Sequence, residues 1–230
     1  MGSTGVVIAR GNSGKVKPLP ITGRMSQWET RTARDAAKGP KKGRVEVAAI
    51  YDKDGNPVGA YQGERHSVSM PDRALQVPGG TLTHLHPNDY FGGTLSITDL
   101  KTFSKSQLAE VRAYSKQGQI YSLREGANAD KKALLNWARR NEKMIQSNFN
   151  RSYESALKQA TTPLKSGPHK GQIKLVNKRT GKVTYRQPMT PAQADKYART
   201  YSVGMLDRTY RKNLEKFGFN YTSTKAGKNR

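Results

Sequence analysis

Residues 81–99, TLTHLHPNDYFGGTLSITD, constrain the fold more than any other stretch of the chain. They hold two of the four histidines, His84 and His86, two positions apart. In a β-strand, side chains at i and i+2 point to the same face, so a strand over 81–86 projects both imidazoles side by side. Pro87 ends such a strand, because its nitrogen has no proton to give to a ladder. After a Gly-rich loop, Ser96-Ile97-Thr98-Asp99 has the form of a helix start. Its first turn brings a hydroxyl and a carboxylate back over the histidines. Two imidazoles and one carboxylate form a ligand set with one position left for water, the open arrangement that catalytic zinc needs.

Charge divides the chain into three. The net charge is +24. By count, residues 1–43 carry +7, residues 44–125 are neutral with nine charges of each sign, and residues 126–230 carry +17. A neutral central module is therefore expected between two basic flanks. An excess of this size attracts polyanions, of which nucleic acid is the commonest. The alternative is a basic surface that serves solubility alone, for which such one-sided charge is not needed. There are no cysteines, which excludes disulfides and thiolate metal ligands. No apolar run approaches the ~20 residues of a membrane span, and the first residues lack a secretory apolar segment, so a non-exported protein without a membrane partner is expected.

Along the chain, residues 1–24 contain no acid and many Gly, Ser and Pro, which predicts a flexible or extended arm. Residues 26–37 form a short helix, with Ser26 as N-cap and Glu29 three positions on. Gly39 to Gly43 is a linker. Residues 44–51 and 57–62 are strands around an Asp54-Gly55 hairpin turn. A third short strand lies near 66–70, residues 71–80 form a loop, and the histidine strand follows. A helix runs from Ser96 to Gln107 or Glu110. Residues 110–114 and 119–123 form a last hairpin. The sum is an α+β module over 44–125: a small sheet with a packed helix. From Asn128 the texture changes. Leu134, Ala138, Ile145, Phe149, Tyr153, Ala156, Leu157 and Ala160 recur at helical steps. A hairpin follows over 172–187. Thr190-Pro191 then starts a last helix, whose apolar face is marked by Ala194, Tyr197, Ala198, Tyr201, Met205, Leu214 and Phe217. Residues 222–230 are expected to be a frayed basic tail.

Amide or isopeptide hydrolysis at such an ion needs a general base. Glu46 and Glu64, in the first two strand regions, are the candidates, able to take a proton from the attacking water and pass it to the leaving amine. The Ser96 hydroxyl is a candidate to steady an oxyanion. Ser96-xx-Asp99 also has the spacing of a capping box, and the two roles are compatible, since capping places Asp99 on the first turn. A lone His-x-His on a strand also occurs as surface or structural residues. The tyrosines of the basic helices fit a core or base-stacking platforms.

The set Glu46, His84-Leu85-His86-Pro87 and Ser96-Ile97-Thr98-Asp99 resembles the JAMM (JAB, MPN) metalloprotease motif of a Glu, then HxHP, then SxxD. The surrounding VEVAAIYDKDGNPVGA, GGTLSITDL and AEVRAYSKQGQIYSLRE resemble the JAB-like domain of some tailed-phage minor head (MuF-type) proteins and, more distantly, the RadC family. The resemblance covers residues 44–125 and, weakly, the helical remainder. It implies His84, His86 and Asp99 as zinc ligands, Ser96 as oxyanion helper and Glu46 as base. Nine residues separate His86 from Ser96, two more than in the JAMM pattern, and loop closure depends only weakly on such a difference. The resemblance further implies a virion-associated protein, in the phage head and in the host cytoplasm during assembly, with head or portal proteins as partners. Its basic flanks would contact packaged DNA through phosphates without reading bases. Lys41, Lys42, Arg139, Arg140, Lys174, Lys178, Arg179, Lys182, Arg211 and Lys212 are the candidates for that contact. The alternative emphasis is an active zinc-dependent peptidase or isopeptidase.

Overall fold

The computed structural model describes residues 5–9, 17–21, 23–38, 45–64, 67–86, 94–115, 118–177 and 180–225. They form an α+β structure with four α-helices. The chain divides into two compact units, a sheet unit of residues 1–142 with 209–230, and a helical unit of residues 143–208.

The sheet unit is built on seven strands in the order β11-β8-β7-β6-β3-β4-β2. These are β2 (Lys17–Leu19), β3 (Val47–Tyr51), β4 (Pro57–Gln62), β6 (Thr81–His86), β7 (Glu110–Ser115), β8 (Gln119–Glu125) and β11 (Phe219–Lys225). All neighbours are antiparallel except β6 and β7, which run parallel. A parallel pair needs a crossover, and helix α2 (Ile97–Ser104) lies within that connection. Beside the main sheet, β1 (Gly5–Ala9) pairs in parallel with β5 (Ser67–Pro71).

Strands β3 and β6 sit centrally and are covered on both sides, which is why VAAIY and TLTHLH are buried almost throughout. Helix α1 (Met25–Lys38) covers one face. It buries Trp28 and Ala33 against Ala49, Tyr51, Leu85 and Tyr114, with Trp28 edge-on to Tyr114 at 6.1 Å. The expected short helix is therefore present, but it packs into the module core rather than belonging to an arm outside it. The other face is filled by Leu100 and Phe103 of α2, and by Phe219 and Tyr221 of β11. Phe103 meets Phe219 at 5.9 Å, and Trp137 meets Tyr210 at 6.3 Å.

Strand β11 corrects the expectation of a tail frayed from residue 222. It pairs with β8 from Phe219 through Lys225, and residues 226–230 lie outside the described residues. Phe219 and Tyr221 face inward while Asn220, Thr222 and Thr224 face out. Gly218 makes the turn into this strand at φ +78°, and a Cβ there would meet the Asn128 carbonyl oxygen at 2.2 Å. The expected α2 also ends earlier, at Ser104, because the last turn closes on Ser106 and Leu108 instead.

Helix α3 (Lys131–Thr161) and helix α4 (Pro191–Leu214) are divided between the units. In α4 the buried row is Ala194, Ala198, Ser202, Leu206, Tyr210 and Leu214, at steps of four. Tyr197, Tyr201 and Met205, expected on the apolar face, are only half-buried beside it. In the helical unit, β9 (Ile173–Val176) and β10 (Val183–Arg186) form the expected hairpin. There Tyr153 donates to Asp195 at 2.6 Å, and Arg199 grips the same carboxylate.

Candidate metal centre

The centre forms where β6 ends and α2 begins. His84 and His86 lie on one face of β6, both buried. Their ring centroids are 4.7 Å apart, and their Nε2 atoms face each other at 2.9 Å. Asp99 is placed by the helix cap. The Ser96 backbone N–H donates to its Oδ2 at 2.7 Å, and its own N–H donates to Ser96 Oγ at 3.1 Å. The capping box is therefore real, and it turns the carboxylate toward the strand. Oδ1 lies 3.3 Å from His84 Nε2 and Oδ2 lies 3.8 Å from His86 Nε2.

These three residues are the one group of metal-ligating side chains that converges among the described residues, with ligand atoms within 4.8 Å of one another. Ligands about 2.0–2.1 Å from a tetrahedral ion stand about 3.3 Å apart. The three separations here, 2.9, 3.3 and 3.8 Å, bracket that edge. The donor set of two imidazoles and a carboxylate, all out of bulk water, fits a divalent cation.

Protonation favours the same use. Burial, then the neighbouring His84, push the His86 pKa down to about 3, against the opposing pull of Asp99. His86 is thus held neutral, the form a metal ligand must take. His84 Nδ1 is buried without a hydrogen-bond partner among the described residues. Ligation through Nε2 leaves the proton on that nitrogen.

Glu46 is 2% exposed. Val47 pairs with Leu85 across β3 and β6, so one more antiparallel step sets Glu46 opposite His86. Opposed residues share a face with Cβ atoms about 4.5–5.5 Å apart, which puts Glu46 on the histidine side. Glu64, the other candidate base, is exposed. Ser96 is buried with its oxygen accepting the cap bond, and its O–H remains available to donate.

No sequence motif points to Tyr210. It is wholly buried, and its hydroxyl has no hydrogen-bond partner among the described residues. Burial, and then the charge of Asp99, raise its pKa, which associates it with this centre. The signal was its place in the four-step row of α4. Tyr221 beside it contacts Thr94, with the two hydroxyl oxygens 3.2 Å apart.

Of the phosphate-contact candidates, Arg139, Arg140, Lys174, Lys182, Arg211 and Lys212 are exposed. Arg211 also reaches Ser223 at 2.9 Å and lies over the Tyr221 ring. Lys41, Lys42, Lys178 and Arg179 lie outside the described residues, as do residues 87–93. A cleft of about 330 Å³ opens on the opposite face of the sheet, lined among others by Glu110, Arg112, Ser122 and Arg124. Its charges pair with one another, and it is remote in topology from the histidines. Among the described residues, no helix is long and apolar enough to cross a membrane. Comparison of the chain with known protein families, with curated proteins and with solved structures gave no match.

Proposed function

We propose that this chain carries a JAMM-type zinc centre that hydrolyses an amide or isopeptide bond, on a basic protein associated with the head of a tailed phage. One observation carries the catalytic part: His84, His86 and Asp99 converge within 4.8 Å at the end of β6. A zinc ion held there would polarise the scissile carbonyl and acidify water. His84 and His86 bind as neutral imidazoles, and Asp99 supplies a carboxylate already fixed by its cap. Glu46 accepts the proton of the attacking water and returns it to the leaving nitrogen. The Ser96 hydroxyl donates to the developing oxyanion. The closed, water-poor surroundings strengthen each of these interactions.

Elemental analysis of the purified chain tests this reading. About one equivalent of zinc, lost in His84→Ala, is the expected result. Less than half an equivalent, unchanged by that substitution, overturns it. Iron in place of zinc would reassign the chemistry, since the same donors serve non-haem iron.

The charge supports a second part of the reading, contact with packaged DNA in the virion head and with head or portal proteins during assembly in the host cytoplasm. The net charge of +24 resides outside the neutral module, and six of the basic candidates are exposed. Affinity for duplex DNA of any sequence is expected to fall steeply and linearly on a log–log plot against salt. Binding indifferent to salt between low and physiological ionic strength removes this part.

A further inference from the structure

The outer face of the β9–β10 hairpin has a feature that generic phosphate contact does not need. Tyr185 pairs across the ladder with Lys174, and Val183 with Val176. Opposed residues share a face, so Lys174, Val176, Val183 and Tyr185 lie together. Ile173 and Leu175 on the other face are buried, which turns the first set outward. Tyr185 remains 38% exposed and Val183 40%. His169 lies flat on the Tyr185 ring, with centroids 3.6 Å apart and planes inclined by only 10°. Gln172 holds it there, its Oε1 lying 3.2 Å from His169 Nδ1.

Two parallel rings, part-exposed on a hairpin, thus stand at the spacing of stacked bases. Their setting is cationic. Residues 155–194 contain eight Lys and Arg and no Asp or Glu, and Lys170, next to His169 in the chain, Lys174, opposite Tyr185, and Lys182, at the loop end of the hairpin, are exposed. A purely structural aromatic pair gains most from burial. A duplex keeps its bases stacked on each other and offers such a pair only phosphates. An unpaired strand offers π-faces as well.

We propose that the hairpin is a binding site for single-stranded nucleic acid, in which bases continue the His169–Tyr185 stack and the three lysines hold the flanking phosphates. This rests on the polyanion-binding part of the reading above and is independent of the zinc centre. Stacking is sequence-tolerant, because every base has a π-face, and it does not consult the sugar, so DNA and RNA strands should bind alike.

The test is fluorescence anisotropy on the full chain with labelled oligo-dT, oligo-rU and a duplex of equal length, over a range of salt. Tyr185→Ala is expected to weaken both single strands by about 5- to 100-fold, with the duplex unchanged. The salt slope should not change, since no phosphate contact is lost. Tyr185→Trp should bind single strands at least as tightly as the parent, which separates stacking from a folding defect. Lys174→Ala with Lys182→Ala should flatten the salt slope for every ligand. Equal losses for duplex and single strand in Tyr185→Ala, or no loss in either, overturn the stacking site and leave general DNA binding intact. Failure of the parent chain to bind any of the three overturns both.

Discussion

The two faces of the central sheet bury similar chemistry and treat it differently. Beneath α1, Glu29 receives a bidentate grip from Arg112 at 2.9 Å and a third bond from the Thr83 hydroxyl at 2.6 Å. Glu110 is bonded by Ser122 and Arg124. Opposed charges neutralise one another there, though the Tyr51 hydroxyl is left without a partner among the described residues. On the other face, His84, His86 and Asp99 crowd together, with Glu46 buried just before the neighbouring strand. Burial holds His86 neutral, and among the described residues both His84 Nδ1 and the Tyr210 hydroxyl are buried without hydrogen-bond partners. Both faces are dry. The first uses its ions to fix the helix on the sheet, and the second keeps lone pairs directed at a common point. Buried polar groups that satisfy each other support the fold, whereas convergent ones that do not await something else.

The largest effect expected from breaking this contrast is catalytic. Glu46→Gln should lower zinc-dependent peptidase or isopeptidase turnover by about 10²- to 10⁴-fold while zinc content stays near one equivalent. A variant that loses its zinc, or keeps full turnover, places Glu46 on the structural side of the comparison. On the α1 face the matching substitution should act on stability. Glu29→Ala leaves the half-buried Arg112 with Glu110 alone, at 3.6 Å, and takes the acceptor from the buried Thr83 hydroxyl, which costs about 1–3 kcal/mol, read from denaturant unfolding. It should leave zinc content untouched. Loss of metal in Glu29→Ala would mean the two faces are not independent.

Much of this contrast was legible before any coordinates, and the reasons differ by element. The strand over Thr81–His86 and the cap at Ser96 are local signals: an alternation, and a hydroxyl three residues before an acid. Both appear where spacing put them. In the sequence Glu29 stands out only as part of a helix start. Its partners Thr83 and Arg112 are 54 and 83 residues away, and no local pattern announces such a bond. Strand β11 was hidden for another reason. Phe219-Asn220-Tyr221-Thr222 alternates as a half-buried strand should, but the basic residues after it suggested a solvated tail. The row of six in α4 was obscured by Tyr197 and Tyr201, bulky residues that flank the stripe rather than fill it.

Acid should destabilise the fold through the histidine face. The His86 pKa of about 3 in the folded protein lies below the ordinary 6.5. Its contribution is therefore fully present above pH 6.5 and is lost as pH falls toward 3, because only the unfolded chain takes up the proton in that window. The slope is about 1.4 kcal/mol per pH unit for one such group. Metal-free protein should show it in chemical denaturation between pH 6 and 4. His86→Gln should flatten that slope. An unchanged slope in the variant would mean that the imidazole is not held neutral by burial.

The smallest expected effect is the sharpest probe, because it compares one atom on each face. Tyr114 and Tyr210 are both wholly buried tyrosines, each edge-on to a tryptophan. The Tyr114 hydroxyl lies 2.6 Å from Thr32 Oγ1 beneath α1, while the Tyr210 hydroxyl has no partner among the described residues. Tyr114→Phe removes a made hydrogen bond, while the Thr32 hydroxyl keeps its own bond to the Trp28 carbonyl, a loss of about 1 kcal/mol. Tyr210→Phe removes a desolvated group that gains nothing in the fold, so stability should hold or rise by up to about 1 kcal/mol. A buried hydroxyl kept at a cost to stability, within the electrostatic reach of Asp99, is accounted for if it serves the bound state. Tyr210→Phe should then lower turnover or zinc affinity even as it stabilises the chain. If it lowers stability as Tyr114→Phe does and leaves the centre unaffected, the difference between the faces reduces to the ligand cluster alone.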